Sequence, residues 1–374
     1  MKIALIYFGR RGGGPVYSLE VAKEISKKAE IAAFISQGTE NLEFWQESGI
    51  PLKIFSTYAS PLGFLFSFFN IFKFWKIRRE IKKFQPDVLY YPFFHPWQPV
   101  INVLFPKIPK VFTTHDPTFH KGERNFLLQC LQDLAIKQSE RVIVLSGVFK
   151  EKIAEKGIAR DKIDYAPHGI FDYYQKFRDS YIACPSTDMR HPTMLFFGRI
   201  IKYKGLDVLL EAFPLIKKQI PEVRLLIAGD GDIKPYEKTI EKLQKNGGEI
   251  EIVNRWIKDE EIGDYFSRVQ LVVCPYIEAS QSGVIPIAYM FKLPVVASRV
   301  GGLEEQVSHG ITGFLVASGE REELADACVE ILKDENKRKK MGQAGYEFAK
   351  SEWNWQRVAE KILESLRKAI NKNF

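Results

Sequence analysis

Short apolar segments alternate with helical ones along nearly the whole chain, and the alternation stops once and then restarts. Parallel neighbours need a crossover long enough to carry a helix, so this pattern dictates a parallel sheet wrapped by helices on both faces. The first series predicts strands at Lys2–Tyr7, Ile31–Ile35, Leu52–Phe55, Val88–Tyr91, Lys110–Thr114, Arg141–Leu145 and Ile163–Ala166, with helices such as Val16–Ala29 and Arg124–Gln138 between them. Residues 171–192 (FDYYQKFRDSYIACPSTDMRHP) are polar, aromatic and irregular, and read as a linker. A second series starts at Thr193 with TMLFF and continues through VRLLIAG, IEIV, LVVCPY, PVVAS and GFLV. The expected fold is α/β: two doubly wound, Rossmann-like domains, 1–170 and 193–354, facing a central cleft. The last helix, within 355–374, follows SEWNW and is expected to pack back on the first domain.

A length of 374 residues suits two domains of roughly 150–200 residues each. The four cysteines, Cys130, Cys184, Cys274 and Cys328, have no metal-like spacing and read as buried, reduced thiols of a cytoplasmic protein. MKIALIYFGR runs straight into a glycine loop and lacks a signal-peptide pattern. The longest uncharged stretch, Ile54–Phe72, is broken by Pro61, Gly63 and Asn70, so no spanning helix is expected. The net charge of +8 favours anionic partners without choosing among them.

Ligands of doubly wound sheets sit at the carboxyl ends of strands, so the loops there carry the chemistry. The first is Gly9-Arg10-Arg11-Gly12-Gly13-Gly14. Its spacing is not the dinucleotide fingerprint, and the second strand ends in Ser36-Gln37 rather than an acid, which disfavours NAD. Gly12, Gly13 and Gly14 are expected to line the cleft. The second loop, Gly198-Arg199 with Lys204-Gly205, places two cations where a diphosphate is neutralised without metal. The third, Pro275 to Pro286, holds Glu278 and a helix start near Ser282–Val284, an anion-binding turn beside a lone acid. The bland readings are a tight turn for the glycines, solvated charges for Arg199 and Lys204, and an N-cap for Ser282.

Together these segments resemble the retaining family-4 (group 1) glycosyltransferases of GT-B fold. The resemblance covers nearly the whole chain and is strongest from Gly198 to Val316. It rests on FFGRIIKYKGLDVLLEAF, AGDGD, PYIEASQSGV and PVVASRVGGLEE, and on TTHDP and APHGI in the first half. It implies that Arg199 and Lys204 hold the donor diphosphate, that Ser282, Gly283 and Val284 hold the distal phosphate, and that Glu278 meets the transferred sugar. It further implies that Arg255, Trp256 and Ile257 lie near the nucleotide base, and that His115 reaches the sugar or acceptor. His168 is read as structural. A second glutamate usual in the family is missing: counting from Glu278 reaches Pro286, and aligning from Pro294 reaches Ile287. Glu304 or Glu305 is the candidate replacement on the ribose. The expected activity is metal-independent, cofactor-free glycosyl transfer from a nucleotide sugar, UDP favoured, to a glycan or lipid-linked acceptor in polysaccharide or glycolipid biosynthesis. The alternatives are a non-catalytic subunit, a nucleotide-sugar epimerase of the same fold and, more remotely, a dehydrogenase.

Residues 61–83 (PLGFLFSFFNIFKFWKIRREIKK) are aromatic and then basic. Nucleic acid is set aside, because its aromatic readers sit on the strands of known modules. Two readings remain: a peripheral contact with an anionic membrane, on its cytoplasmic face, or a core helix with a charged C-terminal end. The lipid-linked acceptors of the family favour the membrane.

Overall fold

The computed structural model describes residues 1–58, 63, 67, 70–117, 125–170 and 191–371. Most of the 171–192 linker, with Cys184, lies outside these residues, as do Arg124, most of 59–69 and the end of the segment 355–374. Among the described residues, the strands form two all-parallel sheets. The first contains β1 (Lys2–Tyr7), β2 (Glu30–Ser36), β3 (Leu52–Phe55), β4 (Val88–Tyr91), β5 (Lys110–Thr114), β6 (Arg141–Val144) and β7 (Ile163–Tyr165), in the order β3-β2-β1-β4-β5-β6-β7. The second contains β8 (Thr193–Phe197), β9 (Arg224–Gly229), β10 (Glu249–Asn254), β11 (Leu271–Cys274), β12 (Val295–Ser298) and β13 (Gly313–Val316), in the order β10-β9-β8-β11-β12-β13. Each sheet is therefore doubly wound, with its direction reversing between β1 and β4 and between β8 and β11. Such reversals send the segments that follow the two strands to opposite faces of the sheet, and ligands of doubly wound sheets sit at the strand ends there.

Alternation along β1 shows how both faces are filled. Ile3, Leu5 and Tyr7 join one core with Tyr17 and Trp355, while Ala4, Ile6 and Phe8 join the other with Phe74 and Trp97. Burial of each large apolar side chain contributes roughly 1.5–3 kcal/mol, so double coverage is what stabilises a parallel sheet. The same logic places Cys274 and Cys328 in the second unit's interior, where burial pushes both thiols up. Cys130 departs from expectation and is exposed. It sits on the helix Phe126–Lys137, whose buried side chains are Gln132, Ala135 and Ile136, so position 130 falls off the core-facing stripe.

The chain leaves its first compact unit after Gly169 and re-enters it at Asn354. The returning helix, Trp355–Asn371, buries Val358, Ile362, Leu363, Leu366 and Ala369 in the core it shares with the helix Gly13–Ser26. Trp355 packs where a Cβ on Gly169 would come within 2.4 Å of its ring. Farther along, Ser365 Oγ donates to Asp164 at 2.6 Å, and Asp164 takes two bonds from Arg141, at 2.6 and 2.9 Å. Burial pushes the Asp164 carboxyl up. Hydrogen bonds from Arg141 and Ser365, with the charges of Arg141 and Lys368, outweigh burial and hold it below its usual value.

Replacing Asp164 by Asn leaves the Arg141 guanidinium, only 3% exposed, without its counter-charge. The expected loss is roughly 2 kcal/mol at pH 7, read from urea unfolding. Because the folded-state pKa is depressed, the wild-type advantage is present above the unfolded carboxyl pKa of about 3.9. It disappears as pH falls through the lower folded value.

Candidate functional site

In the second unit the loops that follow β8 and β11, neighbours across the reversal, are pressed together. The Tyr203 carbonyl accepts from the Ile277 amide at 2.7 Å. Gly205 has φ +68°, and a Cβ there would lie 1.9 Å from the Pro275 carbonyl oxygen, so only glycine lets the two backbones meet. A Cβ on Gly198, also at positive φ, would lie 3.0 Å from Lys204 Nζ and 3.8 Å from Val284 Cγ2. Gly198, Lys204 and the start of the helix Val284–Met290 are thus one cluster.

A polar chain runs beneath it. Lys204 Nζ donates to Tyr276 Oη at 3.1 Å, and Tyr276 Oη lies 3.2 Å from Ser282 Oγ. Arg199 Nη2 donates to Tyr203 Oη at 3.2 Å. Each cation is therefore held by a tyrosine hydroxyl. Glu278 is half-buried on the same loop. The structure brings Arg199, Lys204, Glu278, Ser282, Gly283 and Val284 to one end of one sheet.

Two of the expected phosphate amides are already engaged. The Ser282 amide donates to Gln306 Oε1 at 2.8 Å, and the Val284 amide donates to Ser282 Oγ at 3.2 Å. Gln306 also donates back to the Ser282 carbonyl at 3.0 Å, clamping the turn. The expected amide contribution narrows to the exposed Gly283. Sequence reasoning missed Gln306 and Tyr276, because their role is set by contacts between distant loops.

The remaining donor-side residues are more scattered. Arg255 follows β10, the edge strand, and grips Glu261 through two bonds, at 2.5 and 2.9 Å. That pairing turns its guanidinium along its own loop. Trp256 is exposed and Ile257 is buried. Glu304 and Glu305 are exposed on the short helix Leu303–Gln306, which follows β12. Pro286 and Ile287 are buried in the helix Val284–Met290.

The first unit's crevice, at β1 and β4, is of another kind. Gly12 caps the helix Gly13–Ser26 with φ +85°, so Gly13 and Gly14 are helical rather than loop, and the helix starts three residues before the predicted Val16. Pro15 is tolerated there because the first turn needs no amide from it. A Cβ on Gly14 would come within 2.7 Å of Tyr7 Oη. The Gly12 amide donates to Glu40 Oε1 at 3.0 Å. The Gly12 amide is thus already given to a carboxylate.

His115, after β5, stacks on Phe93 with ring centroids 3.9 Å apart and meets Tyr17 edge-on at 4.8 Å. Its Nε2 lies 3.1 Å from the Pro92 carbonyl, which can only accept. Nε2 therefore carries the proton and Nδ1 is the accepting nitrogen. Burial, then the neighbouring His168, lower its pKa to about 3, so it is neutral at pH 7. Gln132 steadies this loop by donating to Thr114 Oγ1 and the Asp116 carbonyl. His168 is buried, with Nδ1 bonded to the Gly169 carbonyl at 2.8 Å and its ring tilted toward Trp355. No cluster of three or more His, Cys, Asp or Glu able to hold a metal occurs among the described residues.

Two doubly wound parallel units with polar loops at their strand reversals define the GT-B class. The structure of Anabaena HepE in complex with UDP matches this fold with a TM-score of 0.75 at 19% sequence identity, covering 98% of this chain and 100% of that one. The chain belongs to the family-4, group 1 glycosyltransferases: residues 11–171 match Glycosyltransferase Family 4, and residues 191–334 match Glycosyl transferases group 1. It is 28% identical over 249 residues to a GDP-mannose-dependent alpha-(1-6)-phosphatidylinositol monomannoside mannosyltransferase of Mycobacterium tuberculosis (strain CDC 1551 / Oshkosh), covering 60% of this chain and 61% of the relative. A D-inositol 3-phosphate glycosyltransferase of Pseudarthrobacter chlorophenolicus is 29% identical over 233 residues, covering 61% and 55%. The chain thus spans about three fifths, 61% and 55%, of the length of these curated relatives.

Burial lowers His95 to a pKa of about 3 and His168 to about 4, against 6.5 for the free side chain. Both folded-state values lie below the unfolded one, so the unfolded chain binds more protons as pH falls. Stability is full above pH 6.5 and declines below it, by roughly 1–2 kcal/mol per histidine between pH 7 and 5. Urea midpoints at the two pH values check this, and His95→Gln should flatten the dependence.

Proposed function

We propose that this chain transfers a sugar, with retention of anomeric configuration, from a nucleoside diphosphate donor to a hydroxyl of a glycan or lipid-linked acceptor. The observation that carries the reading is the convergence of Lys204, Gly198 and the Ser282–Val284 turn, with Arg199 and Glu278 on the same two loops. Departure of a nucleoside diphosphate develops negative charge on its distal phosphate. Preoriented cations stabilise that charge most where they need not reorganise as it forms. Arg199 is suited to a bidentate grip and Lys204 to a point contact. Glu278 accepts from the hydroxyls of the transferred sugar, and the acceptor oxygen bonds the anomeric carbon on the face the diphosphate leaves while its proton passes to the departing phosphate oxygen. The charge is balanced by side chains, so the reading calls for no metal and no cofactor.

In the first unit, His115 is assigned to the sugar or acceptor. As a neutral ring with Nε2 protonated, it accepts from a hydroxyl through Nδ1 and adds no charge. UDP is the favoured nucleotide, in keeping with the UDP held by the structurally similar HepE. The mannosyltransferase relative, which uses GDP-mannose, makes guanosine donors the natural comparison. The acceptors named for the relatives, a phosphatidylinositol mannoside and an inositol phosphate, support a polyol hydroxyl in glycolipid or polysaccharide synthesis.

The test is a panel of nucleotide sugars read by thermal shift and then by transfer. The true donor should raise Tm by mass action. Lys204→Ala and Arg199→Ala should each lower kcat/KM by about 100-fold or more. Glu278→Ala should abolish transfer yet leave binding of the bare nucleoside diphosphate within about threefold. Undiminished turnover in Lys204→Ala and Arg199→Ala would refute the assignment.

A further inference from the structure

We propose that the outward face of the helix Ile71–Phe84 docks the first unit onto an anionic lipid bilayer. The helix has two unlike sides. Phe74, Ile77 and Ile81 are buried in the sheet's core. At about 100° per residue, Phe72, Trp75, Lys76, Arg79 and Lys83 fall on the opposite side as a single stripe. The stripe is apolar at its N-terminal end and cationic toward its C-terminal end. Ile71, Phe72 and Trp75 are 76%, 86% and 57% exposed. Isolated exposed apolar residues are ordinary, but three large ones within five positions beside a run of cations are not.

The charge complementarity points to the occupant. From Lys73 to Lys83 the helix carries six basic residues and one acid, Glu80. That acid is shared among Lys53, Arg79 and Lys83. A second copy meeting this face with its own would bring like charges together, whereas an anionic headgroup layer meets them with opposite charge. The Arg79 guanidinium lies 5.4 Å from the centre of the Trp75 ring, joining the apolar and cationic parts of the stripe. A tryptophan with a basic neighbour suits the boundary between headgroups and acyl chains.

The orientation also fits. The helix runs from the carboxyl end of the sheet back to the start of β4, so its aromatic end lies at the crevice end of the first unit. The helix Phe126–Lys137, on the same sheet face, begins at that end too, with Phe126 86% and Leu127 52% exposed. Among the described residues no helix is long and apolar enough to cross a membrane, and the proposal is a surface contact. It does not depend on the glycosyl-transfer reading.

The test is co-sedimentation of the full chain with vesicles of phosphatidylcholine alone or mixed with phosphatidylglycerol. Wild type should sediment only with the mixed vesicles, and raised salt should release it. Phe72→Ser/Trp75→Ser and, separately, Lys76→Glu/Lys83→Glu should each weaken binding by about tenfold or more. Both variants should keep wild-type circular dichroism, since all four side chains are exposed, and Phe72→Ser/Trp75→Ser should keep the wild-type Tm, while Lys83→Glu gives up its pair with Glu80 and lowers Tm slightly. Failure of wild type to bind, or unchanged binding in both variants, overturns the proposal. So does a chain that dimerises, or binds single-stranded RNA, through these residues without binding vesicles.

Discussion

The second unit depends on one close approach: the loop after β8 lies directly against the loop after β11. Gly205 permits it, and the Tyr203–Ile277 hydrogen bond holds it. Parallel winding makes these strands neighbours while sending their following segments in opposite directions, so the loops meet only at the sheet's end. Everything polar in the candidate donor site is built on that contact. Tyr203 and Tyr276, one from each loop, bond the two cations, and Gln306 fixes the turn that completes the cluster.

The same topology serves a different purpose in the first unit. Its reversal brings together Tyr7, Phe93, His115 and a glycine turn whose Gly12 amide is spent on Glu40. With His115 and His168 held neutral by burial, this crevice gathers aromatic surface and hydrogen-bonding nitrogens rather than fixed charge. Aromatic faces and neutral acceptors suit hydroxyl-rich ligands, while paired cations suit phosphates. The two units share one architecture and differ in the polarity of the loops above it.

The fold was legible because doubly covered parallel strands are written as short apolar runs, and their order follows from winding. The convergence of Lys204 and the Ser282 turn, with Arg199 on the same loop as Lys204, was legible for a related reason: each follows a strand end that the topology makes central. What escaped the sequence was the partner each group finds. Nothing near Ser282 announces Gln306, 24 residues on, as the acceptor for its amide. Nothing in the spacing shows Arg255 committing itself to Glu261. The exposure of Cys130 and the early start of the first helix turned on one residue of helical phase and one glycine φ. Both are smaller than pattern reading resolves.

The central claim is that the second unit recognises a diphosphate through Lys204 and Arg199, whatever base the donor carries. Isothermal titration of the full chain with a nucleoside diphosphate and its monophosphate, in both the uridine and guanosine series, tests it directly. The preferred diphosphate should bind at least about tenfold tighter than its monophosphate, and Lys204→Ala should erase most of that difference. Equal affinity for mono- and diphosphate, or a preference that survives removal of both cations, would contradict the account.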